Sequence, residues 1–337
     1  MTNSPWKVAC FSSQPYDKQF LLEHSSPAQL QWTFYEGRLR TATHGLASGH
    51  QAVCCFVNDE LDRSCLEGLK NEGIQSVVLR CAGFNNVDLK ACEELGIRVA
   101  RVPAYSPHAV AEHTIALLLC LNRKLHKAYN RVRESNFALH GLLGFDLHGK
   151  TVGVVGTGKI GGVVVDILKG FGCRILAHDP YPSRDDIEYI ALDELLTKSK
   201  VVTLHSPLTP DTYHMIDSEA LQRMQPGALL VNTSRGGLID TLAVIEALKA
   251  GQLGGLALDV YEEEGDLFFH DLSDQVIQDD VFARLLTFPN VVVSGHQAFF
   301  TREALTAISQ TTIANLSALL TGAPCGNEVD WKGFVKS

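Results

Sequence analysis

The sequence predicts an α/β protein built on parallel sheets, and three observations carry that expectation. Short apolar runs at 52–57, 201–205 and 227–233 read as strands without polar alternation, the mark of strands buried on both faces under helices. Helical patterns separate them, as at 61–71, 87–95 and 240–250. The length, 337 residues, suits two hydrophobic cores better than one.

Taken in order, strands are expected at 7–11, 28–34, 52–57, 76–79 and 98–102, a first sheet. A long helical pattern follows from Pro107 to Arg133. Pro107 suits a first helical turn and Ser106 an N-cap. The face from Val110 to Leu125 is too apolar for exposure, so it is core or a subunit contact. After a loop at 141–149 come strands at 152–155, 174–179, 201–205, 227–233, 256–259 and 291–294. Helices are expected at 160–168, at 240–250 with Asp240 as N-cap, and at 302–320. The last helix lies beyond the second sheet and is expected to return to the first domain. The chain therefore reads as two Rossmann-like or flavodoxin-like domains with a cleft between them: 1–103 plus 299–337, and 104–298.

Composition narrows the partners. A net charge of −9 with no basic block argues against nucleic acid. The apolar run 115–121 is far too short to span a bilayer, and the stretch from Met1 to Lys7 has no signal-peptide character, so no membrane is expected. Nine cysteines, an odd number, sit mostly in apolar runs without metal-ligand spacing. They read as reduced thiols of a cytoplasmic protein that holds no metal.

The most specific local pattern is Gly156-Thr-Gly158-Lys159-Ile160-Gly161 between a β-branched strand and a helix. Gly156 permits the tight turn, Gly158 lacks the Cβ that would block a pyrophosphate, and Gly161 lets helix and strand pack closely. The helix N-terminus offers N–H groups to phosphates. The next strand ends on Asp179, placed to accept both ribose hydroxyls. A 2′-phosphate would meet that carboxylate, and Pro180, Tyr181, Pro182 and Ser183 supply no cation. NAD is favoured over NADP.

Ligands of open parallel sheets bind beyond the strands' carboxyl ends. There the second sheet places Arg235, Asp259, Glu264 and His296. Each has a plain alternative: Arg235 as a surface cation, Glu262 to Glu264 as a solvated turn, His296 as one of 13 histidines. Their succession after adjoining strands suits hydride transfer to a ketone. His296 would exchange the proton, Glu264 would fix its tautomer, and Arg235 would clamp a carboxylate. Asp259 would orient the cofactor or help hold Arg235.

Residues 231–237 (VNTSRGG), 259–264 (DVYEEE) and 294–299 (SGHQAF) resemble the signatures of NAD-dependent D-2-hydroxyacid dehydrogenases. Within that family, 80–88 (RCAGFNNVD), 102–107 (VPAYSP) and 266–269 (DLFF) are similar to the fermentative bacterial D-lactate dehydrogenases. The resemblance covers nearly the whole chain. It implies Arg235, Glu264 and His296 as the catalytic set. It also implies that Ala82 and Gly83 meet the substrate carboxylate and that Tyr105 and Phe299 line the pocket. NAD contacts are implied at Lys159, Ile160, Asp179, Pro207, Thr212, Thr233, Ser234 and Asp259. It further implies a homodimer or homotetramer joined partly through the helix at 107–133, and a small 2-oxo acid as substrate. Two readings stand beside pyruvate reduction: a sibling enzyme for another 2-oxo acid, such as hydroxypyruvate or glyoxylate, and an NAD-sensing binding module.

Overall fold

The computed structural model describes residues 4–331; what the sequence suggests for 1–3 and 332–337 lies outside them. The chain divides into two compact units, one drawn from residues up to Ser106 and from Phe300 onward, the other Pro107–Phe299.

The first unit holds β1 (Trp6–Cys10), β2 (Leu30–Phe34), β3 (Ala52–Cys55), β4 (Ser76–Leu79) and β5 (Arg98–Ala100), all parallel, in the order β2-β1-β3-β4-β5. The chain changes direction across the sheet between β1 and β3. Its early helices are α1 (Pro15–His24), α2 (Arg63–Asn71) and α3 (Leu89–Leu95). Asp62 and Asp88 cap α2 and α3 by accepting from Cys65 N and Ala91 N. The chain's last helix, α11 (Arg302–Leu320), belongs here: Leu316 and Leu319 share a core with Val8, Leu21, Ala52 and Val78. The tail beyond it has a structural task. Val329 N donates to Val99 O, Glu328 bridges Ala100 in antiparallel fashion, and Arg98 pairs with Glu328. That covers the otherwise open edge of β5.

The second unit holds α4 (Pro107–Arg123) and α5 (Leu125–Arg133), then β6 (Thr151–Val155), α6 (Lys159–Gly170), β7 (Arg174–His178), β8 (Glu188–Tyr189), α7 (Leu192–Lys198) and β9 (Val201–Leu204). There follow α8 (Ser218–Arg223), β10 (Ala228–Asn232), α9 (Thr241–Lys249), β11 (Leu253–Leu258), α10 (Asp280–Leu286) and β12 (Val291–Val293). The strands form one parallel sheet, β12-β11-β10-β9-β6-β7-β8, so the direction switches between β6 and β9. Alternate residues feed two cores. Val152 and Val154 join Ile115, Leu118 and Leu168 on one face, while Val155 joins Leu196, Leu221 and Val244 on the other.

Two expectations need correction. The helix foreseen from Pro107 to Arg133 breaks at Lys124, whose φ of 53° cannot continue a right-handed helix. Its two halves also differ: α4 is core, whereas α5 buries none of its residues. The strand foreseen at 256–259 starts earlier, at Leu253. Gly254 lies against β10's entry, where a Cβ would fall 2.3 Å from Gly227 O. The glycines therefore mark close approach of two strands, not a loop. None of the nine cysteines is in a disulfide. Among the described residues no helix is long and apolar enough to cross a membrane, and no group of His, Cys, Asp and Glu is placed to hold a metal.

Candidate active site

The switch point of the second sheet carries the glycine turn. Gly156 has a φ of 89°, and a Cβ on it would lie 2.8 Å from the His205 carbonyl. A Cβ on Gly161 would lie 2.0 Å from Gly156 O, so helix and turn touch only because residue 161 is glycine. Gly158 faces open space, and no side chain caps α6. The first N–H groups of that helix, at Lys159, Ile160 and Gly161, are thus left for an anion with room to approach. Thr157, which sequence reasoning passed over, ties the turn to the ribose-side acid: its N–H and Oγ1 donate to Asp179 Oδ2 at 2.7 and 3.0 Å. Tyr181 N donates to Oδ1 at 2.9 Å. Partial burial pushes the Asp179 carboxyl up, but these bonds prevail and hold it below the usual carboxylate range. It is an ionised acceptor with lone pairs to offer hydroxyls. The nearest cation beyond Ser183 is engaged: Arg184 bonds Asp166, Asp186 and Gly162 O. These residues fit NAD.

The loop after β10 is braced from within. Asn232 accepts from Ser234 N and donates to Arg235 O, at 3.0 and 2.8 Å. Thr233 Oγ1 meets Thr114 Oγ1 of α4 at 2.7 Å, and Ser234 Oγ donates to Ser206 O at 2.6 Å. Arg235 stands half-buried, with one hydrogen bond from its guanidinium among the described residues, to Ser234 O. Most of its donors therefore remain available. Pro207 and Thr212 lie together in the loop after β9, where Thr212 Oγ1 donates to Pro207 O at 2.7 Å. His205, at the end of that strand, is held neutral by burial, which pushes its pKa down to about 4.

Glu264 and His296 come together. His296 Nδ1 donates to Glu264 Oε1 at 2.7 Å, and Glu264 Oε2 accepts from Tyr261 N at 3.0 Å. Tyr261 is anchored in turn by its hydroxyl on Asp279 and by packing on Phe282. The other imidazole nitrogen, Nε2, has no protein partner among the described residues. Phe269 and Phe299 flank the ring, with centroids 5.7 and 6.5 Å away. The backbone at His296 is left-handed, φ 51°, a conformation that costs a non-glycine residue about 1–3 kcal/mol and persists only when neighbours impose it. Asp259 imposes it. Its carbonyl accepts from His296 N at 2.8 Å, and its carboxylate accepts from Gln297 N and Ala298 N, both at 2.9 Å. Burial pushes the Asp259 carboxyl up, yet bonds from His113, Ser294 and these amides hold it below its ordinary range. The expectation that Asp259 helps hold Arg235 is not met, because its oxygens are turned to the 294–298 loop. The acidic turn also resolves: Glu262 accepts from Thr241 N and Oγ1 and meets His214 at 2.6 Å, Glu263 is exposed, and Glu264 alone pairs with His296.

In the first unit, Ala82 and Gly83 follow β4 in a half-buried loop. Arg101 Nη1 donates to Ala82 O at 2.7 Å while its guanidinium lies 4.9 Å over the Phe84 ring. Tyr105 is half-buried near the end of the same unit. Arg80, just beyond β4, is 2% exposed and saturated by its own unit. It bonds Asp17, Phe11 O and Ser12 O and stacks on Phe56.

Comparisons with known proteins identify the family. The D-lactate dehydrogenase of Escherichia coli (strain K12) is 53% identical over 96% of this chain and 99% of its own length. Its apo structure superimposes with a TM-score of 0.88 at 50% identity, over 96% of this chain and 99% of that one. The 2-hydroxyacid dehydrogenase A of Aspergillus oryzae is 53% identical over 98% of this chain and 96% of its own. The structure reported for the pyruvate reductase of Chlamydomonas reinhardtii gives a TM-score of 0.91 at 45% identity, over 96% of this chain and 99% of that one. Residues 115–298 match the family described as D-isomer specific 2-hydroxyacid dehydrogenase, NAD binding domain. The glycine cradle, the ionised Asp179 and the Glu264–His296 pair thus belong to an NAD-dependent enzyme, and the chain is a member of the D-isomer specific 2-hydroxyacid dehydrogenases.

Proposed function

We propose that the protein interconverts pyruvate and D-lactate. The observation that carries the reading is the 2.7 Å bond from His296 Nδ1 to Glu264, which leaves Nε2 as the exchangeable proton site. NADH, when bound, supplies the hydride. His296, protonated, gives its Nε2 proton to the ketone oxygen as charge develops there; in the reverse direction the neutral ring takes it back. Glu264 stabilises the imidazolium and fixes which nitrogen faces the substrate. Arg235 uses its open donors to clamp the carboxylate and to stabilise the carbonyl oxygen. The family resemblance assigns substrate contacts to the backbone at Ala82 and Gly83 and to Tyr105 in the first unit, and to Phe299 in the second. NAD contacts fall to Lys159, Ile160, Asp179, Pro207, Thr212, Thr233, Ser234 and Asp259. The first unit serves as substrate domain. The names of the Escherichia coli and Chlamydomonas reinhardtii relatives support pyruvate as substrate.

We further propose a cytoplasmic homo-oligomer. Nine cysteines outside any disulfide support the location. A run of exposed apolar side chains on and beyond α5 supports contact with a second copy: Leu125, Tyr129, Val132, Phe137, Leu139 and Leu143.

Loss of NADH absorbance with pyruvate, 2-oxobutyrate, hydroxypyruvate, glyoxylate and phenylpyruvate tests the reading, with D- and L-lactate in reverse. Preference for pyruvate, with D-lactate alone oxidised, is expected. Preference for another acid changes the substrate and keeps the chemistry; NADH binding without turnover favours a binding module.

A further inference from the structure

Three side chains from three segments meet behind the loop that presents His296. His113 of α4 places Nε2 3.0 Å from Ser294 Oγ and 3.3 Å from Asp259 Oδ1, and Ser294 Oγ lies 2.6 Å from the same Oδ1. A serine hydroxyl has one proton. The 2.6 Å contact with the carboxylate takes it in preference to Leu258 O at 3.4 Å. Ser294 Oγ therefore accepts from His113, and Nε2 carries a hydrogen. Asp259 gathers three consecutive peptide N–H groups, 296 through its carbonyl and 297 and 298 through its carboxylate. That grip holds the left-handed turn at His296 only while the carboxylate keeps its plane, and the terminal torsion of an aspartate is soft. Ser294 and His113 supply the missing restraint. His113 is itself seated on a rigid base, since Ala111, Ile115, Leu117 and Leu118 of α4 are buried in the sheet's core.

We infer that His113, acting with Ser294, is a positioning residue for the proton-transfer histidine: through Asp259 it holds the strained loop that aims His296 Nε2. The inference rests on the reading of His296 as acid and base. The next residue of the helix, Thr114, grips Thr233 on the Arg235 loop in the same way. One helix therefore steadies both loops that carry the chemistry.

The test compares His113→Phe, His113→Gln and Ser294→Ala, each alone and in a His296→Gln background. It reads kcat, NADH dissociation constant and melting temperature. His113→Phe and Ser294→Ala are expected to lower kcat about 10- to 100-fold, the scale of an ångström-sized misplacement of a reacting group. The NADH dissociation constant changes far less than kcat, and what melting temperature is lost, each variant taking a donor from the buried Asp259, is lost equally in the His296→Gln background. His113→Gln, which restores an N–H donor, recovers most of the rate. In the His296→Gln background none of the three lowers the residual rate further, because the group they position is gone. A parent-like kcat in His113→Phe and Ser294→Ala would overturn the inference. So would an equal loss in the His296→Gln background, or losses that track NADH affinity or melting temperature. A parent-like rate in His296→Gln alone would remove the acid assignment itself, and the inference with it.

Discussion

Both sheets place an arginine just beyond a strand's carboxyl end, and the two arginines have opposite fates. Arg80, after β4, is 2% exposed, with its guanidinium shared among Asp17, Phe11 O, Ser12 O and the face of Phe56. Arg235, after β10, is half-buried and among the described residues gives one bond, to Ser234 O. Position at a sheet edge is therefore not enough to make a charge functional. The loop must satisfy its own backbone by other means, as Asn232 and Ser234 do, so that the charged group keeps donors for a ligand. The same contrast separates the acids. Asp59 of the first unit gives its oxygens to Ser12, Leu39 N and Phe56 N, whereas Glu264 holds a histidine whose second nitrogen is open.

The comparison is most directly broken at His296. His296→Gln is expected to lower kcat for pyruvate reduction about 10²–10⁴-fold, the usual worth of a positioned acid, with NADH binding nearly intact. A parent-like rate would place His296 with the internally satisfied groups. Arg235→Met is expected to cost about 10²–10³-fold in kcat/KM, since it removes a donor aimed at developing charge, while the denaturation midpoint barely moves. Arg80→Met should do the reverse. It strands the buried Asp17 carboxylate and destabilises the protein by about 3–5 kcal/mol, read as a lower denaturation midpoint with NADH affinity preserved. Similar behaviour of the two arginine variants would erase the distinction drawn above.

Much of this was legible beforehand, for identifiable reasons. Strands buried on both faces leave continuous apolar runs, and the glycine turn reads locally because Gly156 and Gly161 answer backbone contacts within a few residues or one strand away, while Gly158 leaves the approach to the helix open. Asp240 as a helix cap was equally local, and its carboxylate does accept from Ala243 N. The break at Lys124 was not legible: lysine is a good helix former, and only the packing imposes its left-handed φ. His113 was hidden for a different reason. It sits in an apolar helical pattern, and its partners Ser294 and Asp259 come from distant parts of the chain. What separates Arg80 from Arg235 is the set of long-range acceptors around each, which residues near either one in sequence do not reveal.

Glu264→Gln sharpens the comparison further. The amide oxygen can still accept from Nδ1 and orient the ring, but it brings no charge to face the imidazolium that forms in the oxidative direction. kcat should therefore fall well short of the His296→Gln loss, with NADH binding kept. A parent-like kcat would mean that the 2.7 Å bond orients the ring and that the charge of Glu264 adds nothing.

The smallest effect is expected at Asp179, and Arg184 explains why. Asp179→Ala removes the acceptor of the Thr157 N–H and hydroxyl, and Thr157 is only 3% exposed. The alanine variant therefore mixes a stability loss of about 1–3 kcal/mol with any change in cofactor choice. Asp179→Asn keeps an oxygen for Thr157, gives up the bond from Tyr181 N and removes the charge, a smaller structural change than alanine makes. NADPH then escapes the repulsion at its 2′-phosphate but finds no cation, because Arg184 is tied to Asp166 and Asp186. The preference for NADH over NADPH should narrow by about tenfold and not invert. The kcat/KM ratio for the two cofactors measures it. An unchanged ratio would show that Asp179 serves the glycine turn alone, a satisfied acid of the Asp59 kind; an inverted ratio would show that Arg184 can leave its carboxylates for a phosphate.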